Sequence, residues 1–265
     1  MTSHTHSLKL DDVAGLNENS KAYLQRLSEA SIPRTRYPSS STGKHAAVMV
    51  AIFVGRLSDL HVLLSQRSPL LSAYPSDTCL IGGKRDEQDI FPEDTARREA
   101  EEEVGLPRSD LQRVRYVATL PPHLAYSNAS ALTVWPVVCL ITDRALVPML
   151  NEDEVQRLFS HPLQSFLCHK ADSLLLRLKH LESPDDIYHW HFDDIDPVAP
   201  SHHLRKHVFE TGRNGVKPIL GFTARVMIRV ASIAFDTIPH FRIDAPDQIP
   251  EIERVTMASG AKASL

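Results

Sequence analysis

Between residues 98 and 106 the chain reads Arg98-Glu99-Ala100-Glu101-Glu102-Glu103-Val104-Gly105-Leu106, with a Gly82-Gly83 pair upstream. On a helix, at about 100° per residue, Glu99, Glu102 and Glu103 fall at i, i+3 and i+4 and share one stripe. Like charges so placed repel by roughly 0.2–0.5 kcal/mol per pair, so the stripe is unfavourable unless a cation neutralises it. An oxygen-only cluster suits a hard divalent ion, Mg²⁺ or Mn²⁺. Pro92 lies just before the helix, Glu93 and Asp94 suit its positive N-terminal end, and Gly105 is placed to stop it. Glutamate triples at this spacing are common on solvated helices. The preceding arginine, the following glycine and the upstream glycine pair set this one apart.

The run fits the pattern R-E-U-x-E-E-x-G-U, where U is apolar, and with its glycine-rich loop it resembles the signature of the Nudix hydrolase family. That resemblance implies an α+β chain with the Nudix fold, an α/β/α sandwich holding a mixed β-sheet between helices. It also implies metal-assisted hydrolysis of a diphosphate by Mg²⁺ or Mn²⁺. Carried over residue by residue, it makes Glu102 and Glu103 metal ligands, and Glu99 either a further ligand or the base that takes a proton from water. Arg98 then orients a helix carboxylate, and Gly83 lets the backbone approach the metal. Which glutamate is the base stays open.

The loop is one residue longer than the commonest form of the family. One branch that cleaves coenzyme A carries this longer loop, and Lys84, Asp86 and Asp89 fit it. The stretch ahead of the loop in that branch is matched by Leu63-Leu64-Ser65-Gln66-Arg67-Ser68. It departs where Ser72 replaces an arginine, Ser76 a glycine, and Leu80-Ile81 a Phe-Pro pair. Downstream, Asn151-Glu152-Asp153-Glu154-Val155, His161-Pro162-Leu163 and Ile219-Leu220-Gly221-Phe222-Thr223-Ala224-Arg225 resemble further pieces of the branch. The substrate-binding set so implied is Arg67, Ser68, Lys84 and Asp89, with Glu154 as a fourth acid reaching the site. The implied reaction splits coenzyme A or an acyl derivative into 4′-phosphopantetheine and adenosine 3′,5′-bisphosphate. Ser72 and Ser76 keep open a hydrolase of ADP-ribose, NADH or a dinucleotide. A non-catalytic nucleotide-binding module is the alternative of a different class, and loss of a motif glutamate would favour it; none is lost.

With 29 basic and 33 acidic residues among 265, and no Lys/Arg block, the chain is not expected to track nucleic acid. Its apolar runs are of strand length, so no membrane span is expected. The start lacks the basic and apolar segments of a signal peptide. Cys79, Cys139 and Cys168 are odd in number and widely spaced, as for reduced thiols. The ending Ala263-Ser264-Leu265 is comparable with the peroxisomal S-K-L address but lacks its basic middle residue. A cytoplasmic or peroxisomal protein, not a secreted one, is the expectation. Its partner is a small nucleoside diphosphate derivative, with a homodimer left open.

The pattern divides the chain into an N-terminal helix and linker (1–45), a Nudix domain (46–237) and a C-terminal tail (238–265). Asn19-Ser20 caps a first helix bearing Tyr23, Leu24 and Leu27, and 33–44 reads as an exposed linker. Residues 46–54 and 60–66 form an antiparallel pair. Strands follow at 114–120 and 133–141, with Pro121-Pro122 turning the chain and His123 in a loop that edges the pocket. Asn151 to Phe159 reads as a short acidic helix, and 174–181 is ambiguous by period. Tyr188 to Phe192 and the residues around Val208 read as strands, and Phe222 to Phe235 as a buried helix. His203 and His207, or His189 and His191, lack the companions of a zinc site.

Overall fold

The apolar run from His45 to Val54 becomes strand β1 (His45–Val54), buried along nearly its whole length. Residues 9–38, 44–127, 130–170, 187–212 and 215–259 are described in the computed structural model. Because side chains alternate along a strand, β1 divides the interior in two. Ala46, Val48, Val50 and Ile52 enter one apolar cluster with Leu24 and Leu27 of α1 (Glu18–Glu29) and Val226, Met227 and Val230 of α3 (Gly221–Phe235). Ala47, Met49 and Ala51 enter the other with Ala96, Ala100 and Val104 of α2 (Pro92–Val104). Helices therefore cover both faces of the sheet, the α/β/α arrangement that the resemblance implies.

The remaining strands are β2 (Leu60–Arg67), β3 (Thr78–Cys79), β4 (Ile81–Lys84), β5 (Val114–Thr119), β6 (His123–Ser127), β7 (Ser130–Ile141), β8 (Val155–Pro162), β9 (His189–Ile195), β10 (His203–Phe209) and β11 (Ile219–Leu220). Their order is β5-β7-β1-β2-β3-β11-β10-β9, with β4 on β1, β6 on β7 and β8 on β2. β1 and β7 run parallel from His45↔Thr133 to Phe53↔Ile141, while β1 and β2 pair antiparallel through Ile52↔Val62. The sheet is mixed.

Several local expectations are corrected. Asn151 to Phe159 is not a helix. Asn151 accepts the backbone N–H groups of Glu154 and Val155 in a turn, and β8 then pairs with β2 and buries Val155 and Phe159. Asparagine competes with helix here by bonding its own neighbourhood. The first helix is capped by Asn17, whose side chain accepts the Ser20 N–H at 2.8 Å, and Ser20 lies inside it with its hydroxyl on the Ser58 carbonyl. Residues 33–36 and 38 are exposed, as expected of a linker, but Tyr37 between them is buried and its hydroxyl donates to Thr95 of α2. His123 begins β6 and is buried, edge-on to Phe222, with burial holding its imidazole down at about 4. The 174–181 run and the 263–265 ending lie outside the described residues. No helix among the described residues is long and apolar enough to cross a membrane.

Both flanking helices are packed into this frame. In α4 (Glu251–Ser259), Arg254 is inaccessible to solvent and pairs with Asp196, equally inaccessible, at 2.6 Å. Glu251 accepts the Leu124 N–H at 2.6 Å and pairs with Arg254 at 2.9 Å. Removing one partner strands a buried charge, at a cost of about 3–5 kcal/mol. Arg254→Ala is therefore expected to lower the unfolding free energy by about that amount, and an Arg254→Met, Asp196→Leu double variant to recover a large part of it. Urea denaturation of the three proteins measures both effects.

Candidate active site

The helix stripe meets the glycine pair because α2 lies against β4. Gly82 has φ +148°, and a Cβ there would stand 2.3 Å from the Ala47 carbonyl oxygen, so only glycine fits the β4–β1 pairing. Its backbone amide is near enough to the Glu103 carboxylate to pull the pKa of that acid down. At Gly83 a Cβ would lie 2.5 Å from the Glu99 carboxylate, so a missing side chain makes room for that acid. The helix that delivers these acids is set at both ends. Asp94 accepts the N–H groups of Ile90 and Phe91 at its start, and Gly105, in the left-handed region at φ 68°, ends it.

Arg98 organises the stripe. Its guanidinium reaches Glu102 at 2.9 Å, Glu99 at 2.9 Å and the Lys84 carbonyl at 2.9 Å, and bonds Asp89 through Nε and Nη2. Asp89 is buried and also accepts the Asp86 N–H at 3.0 Å and the Thr95 hydroxyl at 2.9 Å. Burial alone would raise its pKa. The Asp86 N–H, the Arg98 guanidinium and the Thr95 hydroxyl hold it below the usual carboxylate value instead. Asp89, expected to bind substrate, has a buried carboxylate that bonds Arg98, which in turn bonds Glu99 and Glu102. The Thr95 and Tyr37 contacts behind it have no signal in the linear pattern.

The β2–β8 register supplies the third side of the site. Arg67 pairs with Val155, and the Ser68 N–H donates to the Glu154 carbonyl at 2.8 Å, which sets Glu154 beside the end of β2. The charge of Glu154 acts on both Glu99 and Glu103. Burial, reinforced by Glu99 and Glu154, pushes the Glu103 carboxyl up to about 8. Burial raises Glu99 as well, against the pull of Arg98. Arg67 is half-buried and near enough to influence Glu103, while Glu102 is exposed and held by Arg98. Ser68 is buried, its hydroxyl accepting the Leu70 N–H at 3.4 Å, and the Lys84 side chain is exposed. Glu101 is exposed too. Cys79 sits next to Ser65 at 3.2 Å within the field of Glu103 and Arg67, its thiol pushed up to about 11 by burial.

Among the described residues no three Asp, Glu, His or Cys side chains already form a closed ligand set, and Arg98 draws Glu102 outward. His203 and His207 share a strand rather than a helix turn. The donors of Glu99, Glu103 and Glu154 are all hard oxygens, and the space at Gly83 opens onto Glu99, so the residues present fit a hard divalent cation.

One pH effect follows. The unfolded Glu103 carboxyl titrates at its ordinary 4.5 and the folded one at about 8, so the folded state retains a proton that the unfolded state releases. The associated stability is complete below 4.5 and is lost as pH rises through 8. Metal-free protein is expected to show a falling Tm across that interval, and Glu103→Gln to flatten the fall. Thermal melts in chelator at a series of pH values read it directly.

The model of the NUDIX domain matches residues 43–191. Nudix hydrolase 15, mitochondrial, of Arabidopsis thaliana is 33% identical over 219 residues, spanning 82% of this chain and 68% of its own length. Nudix hydrolase 22, chloroplastic, of the same plant is 33% identical over 205 residues, spanning 77% of this chain and 60% of its own. Peroxisomal coenzyme A diphosphatase NUDT7 of Mus musculus is 32% identical over 222 residues, spanning 83% of each.

Proposed function

The chain belongs to the Nudix hydrolase family, and from that premise we propose that it is a divalent-metal-dependent diphosphatase of coenzyme A or its acyl derivatives. The observation that carries this reading is that Glu99 lies against Gly83 and that Glu103 feels the charges of Glu99 and Glu154, with every motif glutamate present. Bound Mg²⁺ or Mn²⁺ would supply charge neutralisation on the diphosphate oxygens and a lowered pKa for water. Glu99, Glu103 and Glu154 would hold it, with the Gly83 backbone alongside.

The chain's own groups account for the rest. Glu103, buried with a carboxyl near 8, exchanges a proton close to neutral pH, and Glu99 stands against the same glycine pair. Once the Glu103 proton is released, either carboxylate can receive the proton of the attacking water. Arg98, locked on Asp89, keeps Glu99 in place, and Arg67 offers a guanidinium to a phosphate oxygen from the β2 side.

Coenzyme A as substrate is supported by the longer loop, by Arg67-Ser68, and by the activity for which the mouse relative is named. The loop before β3 adds an observation. Ser76, which stands where the branch has glycine, has φ +61°, the left-handed conformation a glycine adopts readily. Ser72 brings no cation where the branch has arginine. That absence favours the second reading, a hydrolase of ADP-ribose, NADH or a dinucleotide. The relatives are variously peroxisomal, mitochondrial and chloroplastic by name, so the compartment is not assigned from them.

Product formation from coenzyme A, acetyl-coenzyme A, ADP-ribose, NADH and a diadenosine polyphosphate, with Mg²⁺ and then Mn²⁺, tests the proposal. Preference for the coenzyme A compounds supports it; preference for another compound replaces the substrate, and no turnover with metal bound returns the protein to a binding module. With the preferred substrate, Glu103→Gln is expected to lower kcat by about two orders of magnitude or more with the fold retained. Arg67→Ala is expected to raise KM by about tenfold, and an unchanged KM would make Arg67 structural.

A further inference from the structure

A cavity of about 380 Å³ lies at the far end of β1 and β7, walled by Val13, Phe53, Val54, Ile141 and Leu146. From Val48, opposite Gly82, to Phe53 is about 16 Å along the strand, so this cavity is separate from the glutamate site. Its walls are apolar, and two guanidiniums, Arg56 and Arg144, also line it. Arg144 is held over the turn at Gly15, where a Cβ would meet its Nη1 at 3.4 Å and Val54 at 3.5 Å. Among the described residues neither Arg56 nor Arg144 makes a hydrogen bond or ion pair. The acid lining the cavity, Asp143, is taken by Arg113 at 2.8 Å and by the Ala145 N–H at 2.8 Å. The cavity thus combines apolar walls with unneutralised positive charge.

We propose that this cavity is a second binding site, for a small amphiphilic anion that lays an aliphatic chain against Val54, Ile141 and Leu146 and its carboxylate or phosphate head on Arg144 and Arg56. Guanidinium is the cation suited to either head, since its fork bonds both oxygens of a planar or tetrahedral anion. The volume falls within the range of roughly 300–1,000 Å³ typical of small-molecule sites. The wall also leads to the catalytic helix. Beyond Leu146 the same loop donates from Met149 to the Val104 carbonyl at 3.0 Å and from Asn151 to the Glu103 carbonyl at 2.9 Å, so an occupant would press on the strap that ends at Glu154.

Titration calorimetry of the full chain with octanoate, octyl phosphate and 1-octanol tests the site. Saturable binding of one anion per chain is expected, and an Arg56→Ala, Arg144→Ala double variant should weaken it by about tenfold or more while leaving 1-octanol unaffected. Octanoate or octyl phosphate binding alone assigns the head group. Leu146→Trp, which fills the cavity from its wall, should abolish binding of all three. Absence of saturable anion binding, or binding that survives the double arginine variant and Leu146→Trp, overturns the proposal.

Discussion

The structure around the site depends on one constraint: carboxylates that repel one another must be held within reach of a glycine backbone that cannot carry side chains. Gly82 meets it by pairing with β1 at a φ that only glycine tolerates well, and Gly83 by leaving its Cβ position to Glu99. The opposing requirement is orientation. Arg98 supplies it by bonding Glu99, Glu102, Asp89 and the Lys84 carbonyl at once, and Asp89 is in turn saturated by Thr95 and the Asp86 N–H. Charge that is costly to gather is thereby fixed on a scaffold of hydrogen bonds rooted in buried Asp89 and Thr95, with Glu102 at its exposed rim.

This arrangement explains why the glutamate-bearing element is a helix on the β1 side of the sheet. Ala96, Ala100 and Val104 anchor α2 on Ala47, Met49 and Ala51, and the same strand carries β4 through Ala47↔Gly83 and Val48↔Gly82. One strand thus sets both halves of the site, and a shift of β1 by a single residue would exchange its two apolar faces and separate Gly83 from Glu99. The third component, Glu154, depends on the β2–β8 ladder, so the site is assembled from three independently paired elements.

Much of this was legible in the linear pattern because it is local. The glutamate stripe, Pro92, Gly105, the β1–β2 pair and the buried helix at Gly221–Phe235 each follow from spacing within a short window. What was not legible depends on distant partners. Asp89 resembles a loop acid until burial and Arg98 define it, and Tyr37 resembles a linker residue until its hydroxyl meets Thr95. The run from Asn151 to Phe159 carries acids that suit a helix start, yet its turn bonds and the open edge of β2 make it a strand. His123 likewise changes from loop to buried strand through contact with Phe222.

Burial and its acidic neighbours Glu99 and Glu154 leave Glu103 protonated near neutral pH, and a cation bound there would displace that proton. Calorimetric titration with Mn²⁺ at pH 7, repeated in two buffers of different ionisation enthalpy, measures the protons released per ion bound. Release approaching one proton is expected in the wild type and close to none in Glu103→Gln. Metal binding with no proton release, or equal release from both proteins, would contradict it.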